Sequence, residues 1–242
     1  MSASAEALPG YEAIQKHDKR LKGILSGVIS TGHASRADVV PPDILQGLKQ
    51  EARFHFYPSD ERWRGTGHHR PIIIRPQSAF ERVFLSTRNR PTIAHYARML
   101  QTQVQTFGRG HGISELARWT ADRVVVNRLR PDTQDDSPGE IYRHTDPEME
   151  KGLAVVVRLD SARATVWVSE GEGTNSHLLP VTEPQHPGHV TGYASADLSE
   201  ALDIRQPEHA VAASDESLAM VFLCTPYHQP FSLASAWERL HR

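Results

Sequence analysis

The sequence contains a single cysteine, Cys224, which excludes an internal disulfide and a zinc site built from several cysteines. It has no apolar run of the roughly 20 residues that a helix needs to cross a bilayer. The first residues do not combine a basic segment with an apolar one, so no secretory signal is visible. Together these absences predict a cytoplasmic protein that does not enter a membrane.

An excess of charge of one sign is also missing. The formal net charge is −2 over 242 residues, which provides no basic surface for nucleic acid or an anionic membrane. With 38% hydrophobic and 23% charged residues, the chain can bury a sizeable core and is typical of a globular protein. This charge balance predicts neither nucleic acid nor a membrane as a partner. A small molecule, by default an amino acid or a natural-product intermediate, is the expectation that remains.

The first half of the chain is mainly helical in its hydrophobic pattern. Residues 1–22 are polar and are predicted to form an N-terminal arm, followed by a strand over residues 23–31. Apolar residues spaced three and four apart predict helices over residues 41–52 and 92–107, and Gly108 follows the second one as a C-terminal cap. Residues 23–122 are thus expected to be a helical half with flanking strands.

The pattern changes after residue 122 to short β-branched runs separated by turn residues. Strands are predicted over residues 124–129, 140–145, 153–159, 164–169, 176–181, 189–193, 208–211 and 218–223. This order predicts an α+β protein, an antiparallel sandwich or jelly roll with helices packed on one face. We expect one domain over residues 1–242, with the jelly-roll core at 123–223 and a C-terminal tail at 224–242.

The most specific local motif is His144-Thr145-Asp146, which begins within a predicted strand. Residues two apart on a strand point to the same face, so His144 and Asp146 can act together. With a second histidine they would form the two-histidine, one-carboxylate set that holds Fe(II) and leaves open coordination positions. Alone, the motif is more typical of a surface turn or of an ion pair at a sheet edge.

The order of these motifs resembles the Fe(II)- and 2-oxoglutarate-dependent oxygenases, in particular their small prolyl-hydroxylase-like and AlkB-like members. The likeness covers residues 124–223: His144 and Asp146 on an early core strand, an apolar strand over 153–159, His209 before the last strand, and that strand at 217–223. The resemblance implies a double-stranded β-helix, Fe(II) and 2-oxoglutarate. It also implies that O2 oxidatively decarboxylates 2-oxoglutarate to succinate and CO2, coupled to hydroxylation, desaturation or cyclisation at an unactivated C–H bond.

By this resemblance His209 is the third iron ligand, because it lies just before the last apolar strand. His189, next to a Pro-Gly turn, and His228, after the last strand, are the alternatives. A hydrogen-bonded structural histidine remains the other interpretation of His209.

The family usually has an Arg or Lys about ten residues after the distal histidine, where it binds the far carboxylate of 2-oxoglutarate. The matching stretch here contains Asp215 and Glu216 and no base, and these acids would repel a carboxylate. Arg158 is the replacement that we predict, because it interrupts a strongly apolar strand and a buried charge needs a partner. An ion pair of Arg158 with Asp160, Asp215 or Glu216 is the structural alternative. Asn127, on the strand before His144, would add a hydrogen bond to the co-substrate.

Two other functions remain open at this point. The acidic pair favours an iron oxygenase that takes its electrons from the substrate and uses no 2-oxoglutarate. A non-catalytic jelly-roll binding module, in which the His-x-Asp motif is incidental, is the third interpretation. Iron-dependent succinate release separates the first function from the second, and stoichiometric iron binding separates both from the third.

Overall fold

Helices and antiparallel strands follow one another in a computed structural model that describes residues 11–53, 68–76, 78–79, 81–129, 139–145, 150–160, 164–170, 177–180 and 185–225. The helices are α1 (Tyr11–Thr31), α2 (Pro42–Arg53), α3 (Pro91–His111), α4 (Ser114–Ala117) and α5 (Ala196–Ala201). The strands are β1 (His33–Arg36), β2 (His68–Ile73), β3 (Arg123–Leu129), β4 (Gly139–His144), β5 (Leu153–Arg158), β6 (Ala164–Glu170), β7 (His177–Pro180), β8 (Val190–Ala194), β9 (His209–Ala213) and β10 (Ser217–Leu223).

These strands form two antiparallel sheets. The larger sheet has six strands in the order β1-β8-β5-β10-β3-β2, and the smaller has four in the order β4-β9-β6-β7. Sequence neighbours such as β3 and β4 lie in different sheets, so the chain crosses repeatedly between the two layers. The expected mixture of helices and antiparallel sheet is confirmed.

The larger sheet is buried on both faces, which explains why β5 is apolar at nearly every position. Val155 and Val157 belong to a core shared with helix residues such as Leu100 and Val104. Ala154, on the opposite face, packs with residues of the smaller sheet such as Val166. Side chains alternate along a strand, so a strand between two apolar layers cannot show the usual polar alternation.

Helix α3 lies against this sheet because its apolar stripe and its first turn are both anchored. The carboxylate of Glu51 in α2 accepts the backbone N–H groups of Thr92 and Ile93 at 2.8 and 2.9 Å. These N–H groups have no partner within the helix, so a carboxylate there both satisfies them and complements the helix dipole. The prediction that this helix packs against the strand-rich half is confirmed.

All eight strands predicted after residue 122, and the two helices, are found with shifts of a few residues at their ends. The strand predicted over residues 23–31 is wrong, because α1 runs through it from Tyr11, past the proposed end of the N-terminal arm at residue 22. The apolar residues there are spaced three and four apart, as on one face of a helix: Leu21, Ile24, Leu25 and Val28, all buried.

The predicted cap at Gly108 is also wrong. The helix continues to His111 and ends at Gly112, which adopts the left-handed conformation with φ 68°. Gly108 instead allows close packing, since a Cβ there would lie 2.3 Å from the backbone nitrogen of Ala117 in α4. No helix in the described part of the chain is long and apolar enough to cross a membrane.

Candidate functional site

A cavity of about 330 Å³ lies between the two sheets. The larger sheet contributes alternate residues of β3, β5 and β10, which face away from the helices, and the smaller sheet contributes residues of β4, β6 and β9. Its size is at the lower end of the range for small-molecule sites. Most of the lining is apolar, and the polar side chains are His144, His209, Tyr193, Asn127, Arg158, Arg123 and Glu150.

His144 and His209 face each other across neighbouring strands. They are directly paired in the β4–β9 ladder, next to an irregularity in register between Ile141 and His144. Their ring centroids are 4.4 Å apart. Tyr193 of β8 stacks on His209, with centroids 4.3 Å apart and planes 15° from parallel. Two imidazoles that meet at one cavity wall can offer two nitrogen ligands to one metal ion.

The other predicted ligands are less well placed or lie outside the described residues. Asp146 and His228 are outside them, and within them no three His, Cys, Asp or Glu side chains converge as metal ligands. His189 is not among the residues that line the cavity. Its Nδ1 accepts the backbone N–H of His186 at 3.1 Å, and burial lowers its pKa, as does the nearby His186. His189 therefore has a structural hydrogen bond away from the cavity.

Arg158 is only 2% exposed and lines the cavity at the opposite end from the histidine pair. Tyr193, which stacks on His209, pairs with Ala154, and Ala154 is four residues from Arg158 along β5. Its Nη1 donates to the hydroxyl of Ser217, and its Nη2 donates to Oε1 of Gln185 at 3.4 Å. Gln185 is held by its own bond from Nε2 to Thr191 Oγ1 at 2.9 Å. Nε of Arg158 has no hydrogen-bond partner among the described residues.

Neutral side chains hold the guanidinium of Arg158. Burial lowers the pKa of Arg158 to about 10, against the opposing effects of Asp160 and Tyr193. The group is therefore still a cation at neutral pH. Both hydrogen-bond partners are neutral, and the ion pairs with Asp160, Asp215 or Glu216 considered from the sequence are absent from the described residues. A buried cation in this state is stabilised by an anionic ligand.

Asn127 completes a polar row at the same end. Ala219 of β10 pairs with Arg158 on one side and with Asn127 on the other. Asn127 Oδ1 is buried and has no hydrogen-bond partner among the described residues. Arg158 and Asn127 are thus neighbours across one small residue and both line the cavity.

The acidic pair that argued against a carboxylate ligand lies outside this cavity. Glu216 accepts two hydrogen bonds from Arg128, from Nε at 2.8 Å and Nη2 at 2.6 Å. Asp215 and Glu216 are exposed, and neither lines the cavity. The expected repulsion was therefore wrong, because the strand alternation that turns Asn127 inward turns Arg128 outward toward Glu216.

Tyr193, Gln185, Arg123 and Glu150 were not identified from the sequence. Arg123 could have been predicted from the sequence, because it lies four residues before Asn127 on the same strand and therefore on the same face. The other three belong to no motif. Their positions beside the cavity depend on strand register and on where the chain crosses between the sheets. The hydrophobic pattern of the sequence does not specify either.

No family model matches the sequence, and no curated protein matches it by sequence. Several solved structures match the fold. A Neurospora crassa protein in complex with alpha-ketoglutarate and 5-formyluracil aligns with TM-score 0.59 and 14% identity, over 94% of this chain and 89% of that one. The Arabidopsis thaliana dioxygenase for auxin oxidation 1, bound to 2-oxoglutarate, aligns with TM-score 0.58 and 13% identity, over 89% and 91%.

A Pseudomonas putida prolyl-4-hydroxylase aligns with TM-score 0.55 and 14% identity, over 85% of this chain and 98% of that one. Each of these three matches covers at least 85% of both chains. The protein thus shares its fold with these proteins, among them a prolyl-4-hydroxylase and a dioxygenase bound to 2-oxoglutarate. The resemblance noted in its sequence is confirmed at the level of the fold.

Proposed function

We propose that this protein is an Fe(II)- and 2-oxoglutarate-dependent oxygenase that oxidises an unactivated C–H bond of a small metabolite. The observation that carries the proposal is one cavity with a histidine pair at one end and, at the other, a buried arginine that is hydrogen-bonded by the neutral side chains of Ser217 and Gln185. On this interpretation the two sheets are the halves of a double-stranded β-helix, with its core over residues 123–223. The whole chain would then be one domain.

The metal ligands would be His144, Asp146 and His209. Neutral imidazole nitrogens and one carboxylate suit Fe(II) and leave positions open for other ligands. The facing rings of His144 and His209 fit this role, and the ring of Tyr193 stacked on His209 limits its rotation. The iron would supply the activation of oxygen, while the protein fixes the orientation of the ligands.

The 2-oxoglutarate would bind with its far carboxylate at Arg158. A guanidinium can hold a carboxylate through two parallel hydrogen bonds, and burial strengthens them. Ala219 is the tenth residue after His209, the place at which this family usually has its cation. Arg158 lies directly opposite Ala219. Compared with the usual position in the family, the positive charge would therefore lie on the neighbouring strand, at the same level of the sheet. Asn127, on the other side of Ala219, can donate its amide N–H groups to the same ligand.

The apolar walls between the two ends would keep water from the reacting groups. Val125, Val156 and Val221 line the cavity from the larger sheet. A dry cavity strengthens the carboxylate–guanidinium contact and protects reactive species from solvent. Hydroxylation, desaturation and cyclisation are all compatible with this arrangement.

Succinate release tests the proposal. The purified chain should form succinate from 2-oxoglutarate only when both Fe(II) and O2 are present, and a chelator should abolish the reaction. His209→Ala should lose it, whereas His186→Ala, whose exposed side chain lies outside the cavity, should keep it. Substrate oxidation without any requirement for 2-oxoglutarate would favour the substrate-driven oxygenase. Absence of stoichiometric iron binding would favour a non-catalytic binding module.

A further inference from the structure

Arg158 is one end of a chain of hydrogen bonds behind the cavity wall. Its Nη2 donates to Oε1 of Gln185 at 3.4 Å, and Nε2 of Gln185 donates to Oγ1 of Thr191 at 2.9 Å. The hydroxyl oxygens of Thr191 and Ser35 are 2.9 Å apart, and Ser35 Oγ donates to the carbonyl of Val190 at 3.5 Å. The chain of bonds thus runs from β5 across β8 to β1, the edge strand of the larger sheet.

Strand register places this chain of bonds on the cavity side of the larger sheet. Thr191 pairs with Val156 of β5 on one side and with Ser35 of β1 on the other. Paired residues of antiparallel strands point to the same face, and Val156 lines the cavity. Arg158 follows Val156 by two residues and therefore points to this face as well. Gln185 and Thr191 are not among the described residues that line the cavity, so Arg158 lies between them and any ligand.

The direction of the bonds is fixed by Arg158. A guanidinium has only donors, so it needs the oxygen of the Gln185 amide, and the NH2 group of that amide must point away from it. Thr191 Oγ1 accepts from this NH2 group, which leaves the Thr191 proton for Ser35. Without the Thr191 hydroxyl, the NH2 group would keep only Ser35 Oγ, at 3.5 Å. The amide could then rotate, and Arg158 would lose a fixed acceptor.

The guanidinium is held from both sides. Ser217, which accepts from Nη1, belongs to β10, and the acceptor of Nη2 is held by Thr191 of β8. These two strands flank β5 on opposite sides. Bonds at both Nη atoms fix the plane of the guanidinium. That plane decides whether a carboxylate can be bound through two parallel N–H groups.

We propose that Gln185 and Thr191 are positioning residues, which fix the plane of the Arg158 guanidinium for the far carboxylate of 2-oxoglutarate. Neither would touch the ligand. They would act by reducing the side-chain freedom that Arg158 loses when the carboxylate binds. Both are neutral, so they orient the cation without competing with an anion for it. This role rests on the proposed function, because it requires 2-oxoglutarate at Arg158.

Binding of two 2-oxo acids to the Fe(II)-loaded chain, titrated by calorimetry without oxygen, tests the inference. 2-Oxovalerate has the carbon chain and the 2-oxo acid group of 2-oxoglutarate, with a methyl group in place of the far carboxylate. Thr191→Val removes the hydroxyl and keeps a side chain of similar shape. It should weaken 2-oxoglutarate binding about fivefold, as loss of one hydrogen bond implies, and leave 2-oxovalerate binding unchanged. Thr191→Ser, which restores a hydroxyl, should recover most of the affinity.

Turnover gives a second measurement. In Thr191→Val the 2-oxoglutarate concentration for half-maximal succinate formation should rise by the same factor, with the maximal rate unchanged. Gln185→Met, which interrupts the chain of bonds at Arg158 itself, should show at least this effect. The double variant should be no weaker than Gln185→Met alone, because Thr191 acts through Gln185. Gln185→Met also decides the matter if melting curves show that Thr191→Val does not fold.

Two buried serines form a matched pair for comparison. Ser217→Ala removes the acceptor of Arg158 Nη1 and should weaken 2-oxoglutarate binding about fivefold as well. Ser199→Ala removes a hydroxyl in α5 that has no hydrogen-bond partner among the described residues. It should leave the binding of both 2-oxo acids unchanged.

The parent and the variants separate the possible failures. Equal weakening of both 2-oxo acids in Thr191→Val would mean that the hydroxyl only supports the fold. Unchanged 2-oxoglutarate binding in Thr191→Val and Gln185→Met would likewise overturn the inference. In both cases a parent that prefers 2-oxoglutarate to 2-oxovalerate leaves the proposed function standing. A parent that binds the two acids equally, or binds neither, would instead reject Arg158 as the anchor and the inference with it.

Discussion

Arg158 of β5 lies directly opposite Ala219 of β10 in the larger sheet. The small side chain of Ala219 leaves the cavity face open beside the guanidinium, and the hydrogen-bond partners of Arg158 are the neutral groups of Ser217 and Gln185. The fold thus holds a buried cation in position through hydrogen bonds to two neutral groups. A residue that needed only structural stabilisation would be expected to pair with a carboxylate.

Replacing Gln185 by Glu should weaken co-substrate binding without lowering the stability of the fold. The new carboxylate would face Arg158 Nη2, which now donates to the amide oxygen at 3.4 Å, and would compete with 2-oxoglutarate. We expect the 2-oxoglutarate concentration for half-maximal succinate formation to rise about tenfold or more, beyond the effect of Gln185→Ala. The melting temperature should stay equal or rise, because a buried charge gains a partner. A Glu variant with unchanged 2-oxoglutarate dependence would show that Arg158 does not bind it.

Metal binding should depend on both facing histidines. We expect His144→Ala and His209→Ala each to lose Fe(II) in an anaerobic calorimetric titration, because two remaining ligands hold the ion poorly. His189→Ala should bind iron as the parent does, since its Nδ1 already accepts the backbone N–H of His186. Unchanged iron affinity in His209→Ala would move the third ligand to His189 or His228.

Two glycines of α3 should respond in opposite directions to the same substitution. In Gly108→Ala the new methyl group would meet the backbone of α4 at 2.3 Å, so we expect a loss of about 2 kcal/mol in the free energy of unfolding. Gly110 has nothing within 4 Å of an added Cβ, so Gly110→Ala should gain roughly 0.5 kcal/mol from helix propensity. Urea unfolding measures both. Equal effects would mean that α3 and α4 do not pack as described.

The buried His17 should make the fold less stable in mild acid. Its ring meets Tyr96 edge to face, with centroids 5.6 Å apart. Burial lowers the pKa of His17 below its ordinary value of 6.5, despite the opposing effect of Asp18. Below that value the unfolded chain takes up a proton that the folded chain resists, so stability falls as the pH falls.

His17→Phe keeps an aromatic ring there and removes the titration. Between about pH 7.5 and about pH 5.5 the variant should therefore lose less unfolding free energy than the parent. Urea unfolding at the two pH values gives the comparison. An equal loss in both proteins would assign the acid sensitivity to other groups, such as His189, whose pKa is lowered as well.

The strand-rich half could be predicted because short β-branched runs between turn residues have few alternatives. Helix α1 is ambiguous in the sequence, because its apolar residues have helical spacing, whereas its glycines lower helix propensity and its β-branched residues, such as Ile24 and Val28, suit a strand. Its glycines serve packing: a Cβ on Gly27 would lie 2.5 Å from the Cβ of Ala34 in β1. The requirement for glycine at position 27 arises only when the helix packs on β1. The local sequence alone does not indicate that contact.

The candidate site likewise contains some residues that the sequence could predict and others that it could not. His144, Asn127, Arg158 and His209 could be proposed, because each interrupts or borders an apolar strand at a place where the resemblance expects a function. Arg123, Glu150 and Tyr193 come together only through the registers of β3, β10 and β8. The outward direction of Glu216 was missed for the same reason, since its partner Arg128 is 88 residues away in the sequence.

Succinate formation as a function of 2-oxoglutarate concentration, in the parent and in Arg158→Ala, tests the central claim most directly. The variant should keep its iron but need on the order of 100-fold more 2-oxoglutarate, as the loss of roughly 3 kcal/mol of carboxylate binding implies. Arg158→Lys should recover part of this, because a single ammonium replaces the two-pronged guanidinium. An Arg158→Ala variant with the same concentration dependence as the parent would contradict the account, as would a parent that turns over fully without 2-oxoglutarate.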